Sequence, residues 1–562
     1  MAHRGDTRAP LAAVALVVAL SATARQASAQ PESAAPPPAT EPGAGGAAGA
    51  APEPTAPPAK AGDEASGGGP TSPGAPAPAK APEAKAGDAK ADPAGGARAA
   101  EAAPADAAPG KSFWDGFAFG SYGRVIAASD AAGRPGRDAD VVAHGSRLDL
   151  DNYAELELRR EDHWESLGAT SRLVATLALG NSIFHYSGDF DAAFAIRNLY
   201  LEETGLGLED FSIWAGSRMV RGDDIYLCDF WPLDNVNALG GGVRYAAPTH
   251  TTASLHMGMA QPQNPFYRQA ASRPAPLNQF GAATVDVLDR QRWLGALRLE
   301  QLVLLGPEPD EAAAPPPPRA GLKFVVYGEA QHVPAAQRET ATPDVFEDVP
   351  ADRGFVVGAQ IGAFTGERDT HLNLFVRYAT GLAAYGEFAA PEALALDRTA
   401  AGAHEVVVAM GGNWEISVFA LTLGAYFRSF RNASEPLDFG DVDEGIFILR
   451  PHVFFAEWAG VAVEGSYQAL ARGILTPDRG PDDAPHPLTA HVGRLGVMPF
   501  VQPAGPGAFS RPRIHLEYAA TFRDKSARLL YPTDDPFSLR SVDHFFGLGA
   551  EWWFGSTSYG GT

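Results

Sequence analysis

The sequence predicts an all-β protein, a transmembrane antiparallel β-barrel of about eighteen strands. Three observations carry this. The chain opens with an export leader, its strand-like segments are long with one apolar and one charged face, and no apolar run is long enough for a membrane-spanning helix.

The leader comes first. Arg4 and Arg8 form a basic start, "LAAVALVVAL" from Leu11 to Leu20 is the apolar middle, and Ala27-Ser28-Ala29 offers a small-residue cleavage site. Residues 1–29 are therefore expected to be a signal peptide. From 30 to 112 the composition collapses to Ala, Pro, Gly, Lys, Glu and Asp, as in "APAPAKAPEAKAGDAKADPAGG". That segment has no aromatic or β-branched side chain to bury, and a stretch of this composition cannot offset its ordering entropy, so a disordered periplasmic tether is expected. Residues 113–562 are expected to form the barrel. The Pro-rich "PEPDEAAAPPPPR", Pro307 to Arg319, lies between two similar strand-like segments and reads as a long loop rather than a domain boundary.

The barrel reading rests on alternation. From Arg513 to Arg523, one face carries Arg513, His515, Glu517, Ala519, Thr521 and Arg523, the other Ile514, Leu516, Tyr518, Ala520 and Phe522. Tyr153, Glu155, Glu157 and Arg159 likewise oppose Ala154, Leu156 and Leu158. Such a strand has a period of two and two unlike faces. About eighteen such segments recur, each near the 9–11 residues that cross a membrane at a tilt. Short turns and longer Gly/Pro/Asp-rich loops join them alternately. In an exported chain this places the apolar face against lipid and the charged face on a lumen. The last segment, "FFGLGAEWWF", points Phe546, Leu548, Ala550, Trp552 and Phe554 outward and Glu551 and Trp553 inward.

One block breaks the pattern. "SIWAGSRMVRGDDIYLCDFWPLDN", Ser212 to Asn235, crowds charges of both signs among Tyr226, Phe230 and Trp231. Elsewhere, composition mainly excludes. A net charge of −23 argues against nucleic acid as a partner, and one cysteine, Cys228, excludes an intrachain disulfide and a multi-cysteine metal site. There is no G-x-S-x-G elbow, H-E-x-x-H pair or G-x-x-x-x-G-K loop. A channel is expected rather than an enzyme, with no cofactor and no metal.

"IWAGSRMVRGDDIYLCDFWPLD", "DNYAELEL", "FGSYGR", "MGGNWEIS", "SRPRIHLEYAATF" and "AEWWF" resemble segments of the maltoporin family of sugar-specific porins. The resemblance covers most of Phe113 to Phe554 and lapses between about Pro262 and Ala351. It implies an eighteen-stranded barrel in the outer membrane, its lipid outside, assembled as a homotrimer and passing maltose-like oligosaccharides by facilitated diffusion. It also implies an inward-folded constriction loop, here the Ser212–Asn235 block, and a lane of aromatic rings beside a polar track. Carried over residue by residue, the lane takes Tyr122, Tyr153, Trp553 and Phe190, the last for a ring donated by a neighbouring subunit. The polar track takes Arg124, Arg147, Glu155, Arg197, Arg221, Asp224 and Asp229, and Trp231 takes the place of the constricting ring. Two further lane rings find only Val357 and Gly445 at the matching places, with Phe355 and Phe447 displaced by two. Two other readings remain: a general or cation-preferring porin, and a secreted carbohydrate-binding or glycoside-cleaving β-protein.

Overall fold

Eighteen antiparallel strands close on themselves. The computed structural model describes residues 116–149, 151–180, 193–276, 280–306, 319–366, 368–386, 391, 394–434, 440–474 and 487–557. The expected signal peptide, the tether and Phe190 lie outside these residues.

The strands in chain order are β1 (Phe117–Asp130), β2 (Tyr153–Trp164), β3 (Ala169–Gly180), β4 (Ala193–Thr204), β5 (Phe211–Arg221) and β6 (Asn235–Ala247). There follow β7 (Thr251–Ala260), β8 (Arg268–Pro274), β9 (Ala282–Asp289), β10 (Arg292–Leu304), β11 (Gly321–Val333), β12 (Ala336–Glu339), β13 (Phe346–Val349) and β14 (Asp352–Phe364). The chain ends with β15 (His371–Gly381), β16 (His404–Ile416), β17 (Phe419–Arg431), β18 (Val442–Ala456), β19 (Ala459–Ile474), β20 (Pro487–Val501), β21 (Arg513–Arg523) and β22 (Val542–Phe554). Each barrel strand pairs with its neighbours along the chain, and β22 returns to β1 in the register Ser121↔Phe554 to Asp130↔Phe545. β8–β9 and β12–β13 stand apart as hairpins. They lie where the resemblance lapses, and Arg273 of one pairs with Glu339 of the other at 2.5 Å.

Closure is the answer to lipid: with no water to accept from an open edge, every backbone N–H and C=O must find a partner within the sheet. The two faces divide as alternation requires. Leu516, Phe419 and Leu297 are 57, 58 and 47 % exposed on the outside, while Glu155 and Arg494, on the inside, are 0 and 2 % exposed. An apolar exterior with charges inside is the inverse of a secreted soluble β-protein, and that reading falls here.

Barrel strands run from 10 residues in β7 to 16 in β19, most of them longer than the 9–11 expected. β10 and β11 pair directly, so the Pro-rich segment between them connects neighbours in one sheet. The connections after β1, β3, β5 and each alternate barrel strand gather on one rim. Most of those on the other rim are short turns, so the first rim is the external one. Leu297 sits mid-strand facing outward, so Leu297→Arg is expected to destabilise the barrel by about 2–4 kcal/mol and Leu297→Val hardly at all, as read from denaturant titrations of heat-modifiable gel mobility in lipid.

Candidate functional site

The seam between β22, β1 and β2 brings three rings into line. Tyr122 is paired with Trp553 across one strand boundary and with Glu155 across the other. Tyr122 and Trp553 lie parallel with centroids 6.4 Å apart, and Tyr122 and Tyr153 are 6.0 Å apart. Period-two geometry does this: inward positions on adjacent strands fall side by side.

Charged groups line the same wall. Arg147, from the external loop 131–152, donates to Tyr122 Oη at 2.8 Å, to Glu551 Oε1 at 2.8 Å and to Asp229 Oδ1 at 3.0 Å. Arg124 donates to Tyr122 Oη at 3.2 Å and lies 3.6 Å from Asp229. Glu155 pairs with Arg197 and accepts from Tyr153 Oη at 2.5 Å. Arg197 reaches the lumen through a β-bulge: Thr176 pairs with Asn198 but Leu177 with Ile196, so Arg197 is the extra residue and turns inward beside Asn198. Tyr122, Tyr153, Trp553, Arg124, Arg147, Glu155, Arg197 and Asp229 thus form one group. Arg221 lays its guanidinium over Trp231 at 3.7 Å and donates to Asn235 Oδ1 at 2.7 Å. Phe355, Val357 and Phe447 all face outward, so none of them extends the lane.

The loop 222–234 explains its own odd composition. Ile225, Leu227, Cys228, Phe230 and Leu233 dock on an apolar inner wall that includes Val325, Phe375, Val407, Ala409, Tyr426, Ile446 and Ile448. Ile225 sits in a slot made by Gly411 and Gly424, which pair across β16 and β17; a Cβ on Gly424 would stand 2.8 Å from Ile225 Cγ2. The loop is tied to itself by Ile225 N–H donating to Phe230 O at 2.7 Å. Phe230 stacks on His144 at 4.1 Å. Two of its acids tie the loop to the adjoining strands β10 and β11: Asp223 holds Lys323 at 2.8 Å and Asp234 holds Arg298 at 2.8 Å. Trp231 is buried beneath Arg221, and Tyr226 stands beside Trp553 of the lane. Tyr226 meets Trp553 edge-on at 6.2 Å, lies under Arg147 at 4.5 Å and donates to Glu551 Oε2 at 3.1 Å.

Sequence reasoning passed over Tyr226, Phe509 and Arg511 as site residues. Arg511, in the turn 502–512, donates to Glu551 Oε2 at 2.8 Å. Its signal was the "SRP" of a segment already singled out, whereas nothing in spacing separates Tyr226 from Trp231. Asp224, in the in-turned loop, has its carboxyl pushed up to about 6, chiefly by burial and further by Asp229 and Asp223, against the pull of Arg147. Asp140 and Asp149 of the loop 131–152 are pushed the same way by burial, against Arg494.

The family model described as LamB porin matches residues 117–554. No curated protein matches. Among solved structures, the chain is similar to OmpT of Vibrio cholerae in its trimer form, at 12 % identity and TM-score 0.36, covering 78 % of this chain and 100 % of that one. It is similar too to an anion-selective porin from Comamonas acidovorans, at 12 % identity and TM-score 0.33, covering 78 % and 99 %. Salmonella typhi OmpF in complex with daunomycin stands at 10 % identity and TM-score 0.34, covering 79 % and 99 %.

Two outcomes follow for the loop. Gly424→Val fills the slot for Ile225 at a cost of about 1–3 kcal/mol and is expected to shift the loop and change single-channel conductance; an unaltered conductance counts against the docking role of the slot. Above pH 6 Asp224 is ionised and below it neutral, so lowering the pH through 6 removes negative charge from the lumen. Reversal potentials in a salt gradient are expected to move toward anions over that range, by a smaller step in Asp224→Asn.

Proposed function

Because the chain belongs to the LamB porin family and is an outer-membrane channel, we propose that it passes maltose- and maltodextrin-like oligosaccharides by facilitated diffusion. One observation carries this reading: the inward lane Tyr153–Tyr122–Trp553, flanked by Arg124, Arg147, Asp229 and Glu551. A sugar ring has an apolar face and a rim of hydroxyls, and a lane of rings beside a rail of charges meets both.

The physics asks for weak binding, since a transport site must release what it holds. Each ring contact contributes about 0.5–1.5 kcal/mol and each net hydrogen bond about 0.5–1.5 kcal/mol. A few of each, less the ordering cost, give about −4 kcal/mol, or millimolar affinity. Glu155 and Arg197 satisfy one another, so in this reading they support Tyr153 and exchange partners with a passing sugar. The resemblance adds a homotrimer, the composition of residues 30–112 a periplasmic tether ahead of the barrel, and both belong to this proposal.

A general porin is the second reading, favoured by the outward-facing Phe355, Val357 and Phe447, which leave the lane short. Single-channel recording separates the two. Millimolar maltooligosaccharides are expected to block the ionic current, and Trp553→Ala to weaken that block by about 0.5–1.5 kcal/mol in apparent affinity. An unblocked current overturns the sugar reading; a block indifferent to Trp553→Ala overturns the lane.

A further inference from the structure

The outer wall of the barrel is edged differently at its two ends. Along the rim of short turns Trp414, Phe419, Phe455 and Phe554 are exposed on the outside. At the external end the exposed rings are Trp293, Tyr378, Tyr467 and Tyr518, and basic side chains stand among them. Four strand histidines face outward by parity, His332, His404, His491 and His544, and each lies near the external end of its strand.

The registers set these groups side by side. Trp293 pairs with His332 and His332 with Arg353, so a ring, an imidazole and a guanidinium stand in a row on β10, β11 and β14. His332 and Arg353 are exposed, and no described side chain makes a hydrogen bond or ion pair with the Arg353 guanidinium. His404 pairs with Thr380, two residues from Tyr378. Two further pairs repeat one geometry. Tyr467 Oη lies 2.8 Å from His491 Nδ1 with the rings stacked at 5.8 Å. Tyr518 Oη lies 3.0 Å from His544 Nδ1 with the rings stacked at 6.0 Å. With the phenol donating to Nδ1, the imidazole proton sits on Nε2 and is left for an acceptor outside the chain.

A cationic side chain on the lipid face is costly at the membrane midplane and nearly free at the interface. The belt therefore belongs at the headgroup level, where aromatic girdles also settle. Anchoring by itself needs no base, since the opposite rim does it with Phe and Trp. Basic donors gathered at one end call for an acceptor present at that end, and the external leaflet offers its headgroups. Arg431, opposite His404, has its acid inside the chain, Asp443 at 2.9 Å. Arg353 has none.

We propose that the external belt from β10 to β22 is a binding surface for a phosphate-bearing lipid of the outer leaflet. Arg353 and the four histidines donate to its phosphate oxygens, and the rings of the belt pack against the upper part of its chains. Phosphate suits these donors because it offers several anionic oxygens to charge-assisted hydrogen bonds. Tyr467 and Tyr518 are positioning residues that fix the imidazoles they touch. The inference is independent of what the lumen passes.

The test is native mass spectrometry of the full chain in detergent, titrated with bisphosphorylated lipid A, with monophosphoryl lipid A and with the neutral glycolipid digalactosyldiacylglycerol. Heat-modifiable gel mobility is the folding control. Lipid A is expected to be retained most, its monophosphoryl form less and the neutral lipid least. Arg353→Gln with His332→Gln is expected to weaken lipid A retention about fivefold and to leave the neutral lipid unchanged. Wild-type protein that holds all of these lipids equally, or a folded variant that holds lipid A as the wild type does, overturns the proposal. Should that variant fail to fold, His491→Phe with His544→Phe asks the same question: lipid A retention is expected to fall, and an unchanged retention overturns the belt. Inorganic phosphate at matching concentration is expected to leave lipid A in place; displacement means an ion site and overturns the lipid surface.

Discussion

The pairing of the last strand with the first is the constraint on which the rest depends. A sheet in lipid must close, because an open edge leaves amides with no partner. The register chosen at closure sets Tyr122 beside Trp553 and Arg124 beside Glu551. One step of slippage would turn every one of these side chains from lumen to lipid. Backbone satisfaction and the chemistry of the lumen are thus decided by the same hydrogen bonds at the same seam.

Closure leaves an interior that must be kept partly filled and partly wet. The two halves of the wall solve this differently. From β10 to β18 many inward positions are apolar and receive the loop 222–234, whose Ile225 enters the Gly411–Gly424 slot. At the seam the inward positions are rings and charges, joined by Arg147, Asp229 and Glu551. The loop stands between them, with an apolar side docked and a polar side, carrying Tyr226 and Asp229, facing the lane. The Arg147–Glu551 and Arg197–Glu155 pairs are largely buried, so removing one partner would strand the other's charge.

Legibility in the sequence followed the length scale of each interaction. From Arg513 to Arg523 the alternation of the letters is the alternation of the faces, and eighteen strands were countable on that rule. The seam rings were within reach because strand parity points Trp553 and Glu551 inward. The hairpins β8–β9 and β12–β13 were not, because they sit on a loop rim where no lipid enforces a pattern. Nor were the places of Tyr226 beside Trp553 and of Trp231 under Arg221, since both rings lie in one short loop without a period.

Lipid on one side and water on the other impose a repeat of two on any strand that crosses between them, so the letters alone determined a barrel of about eighteen strands and, where the alternation is unbroken, which side chains face inward. Tertiary structure decided which inward groups meet. Tyr226, Phe509 and Glu551 come from three distant stretches, and their contact depends on how far two in-turned segments reach into a shared lumen. That reach is set by local fit — a glycine slot, a bulge at Arg197 — and shape complementarity between remote segments leaves no period in the chain to read.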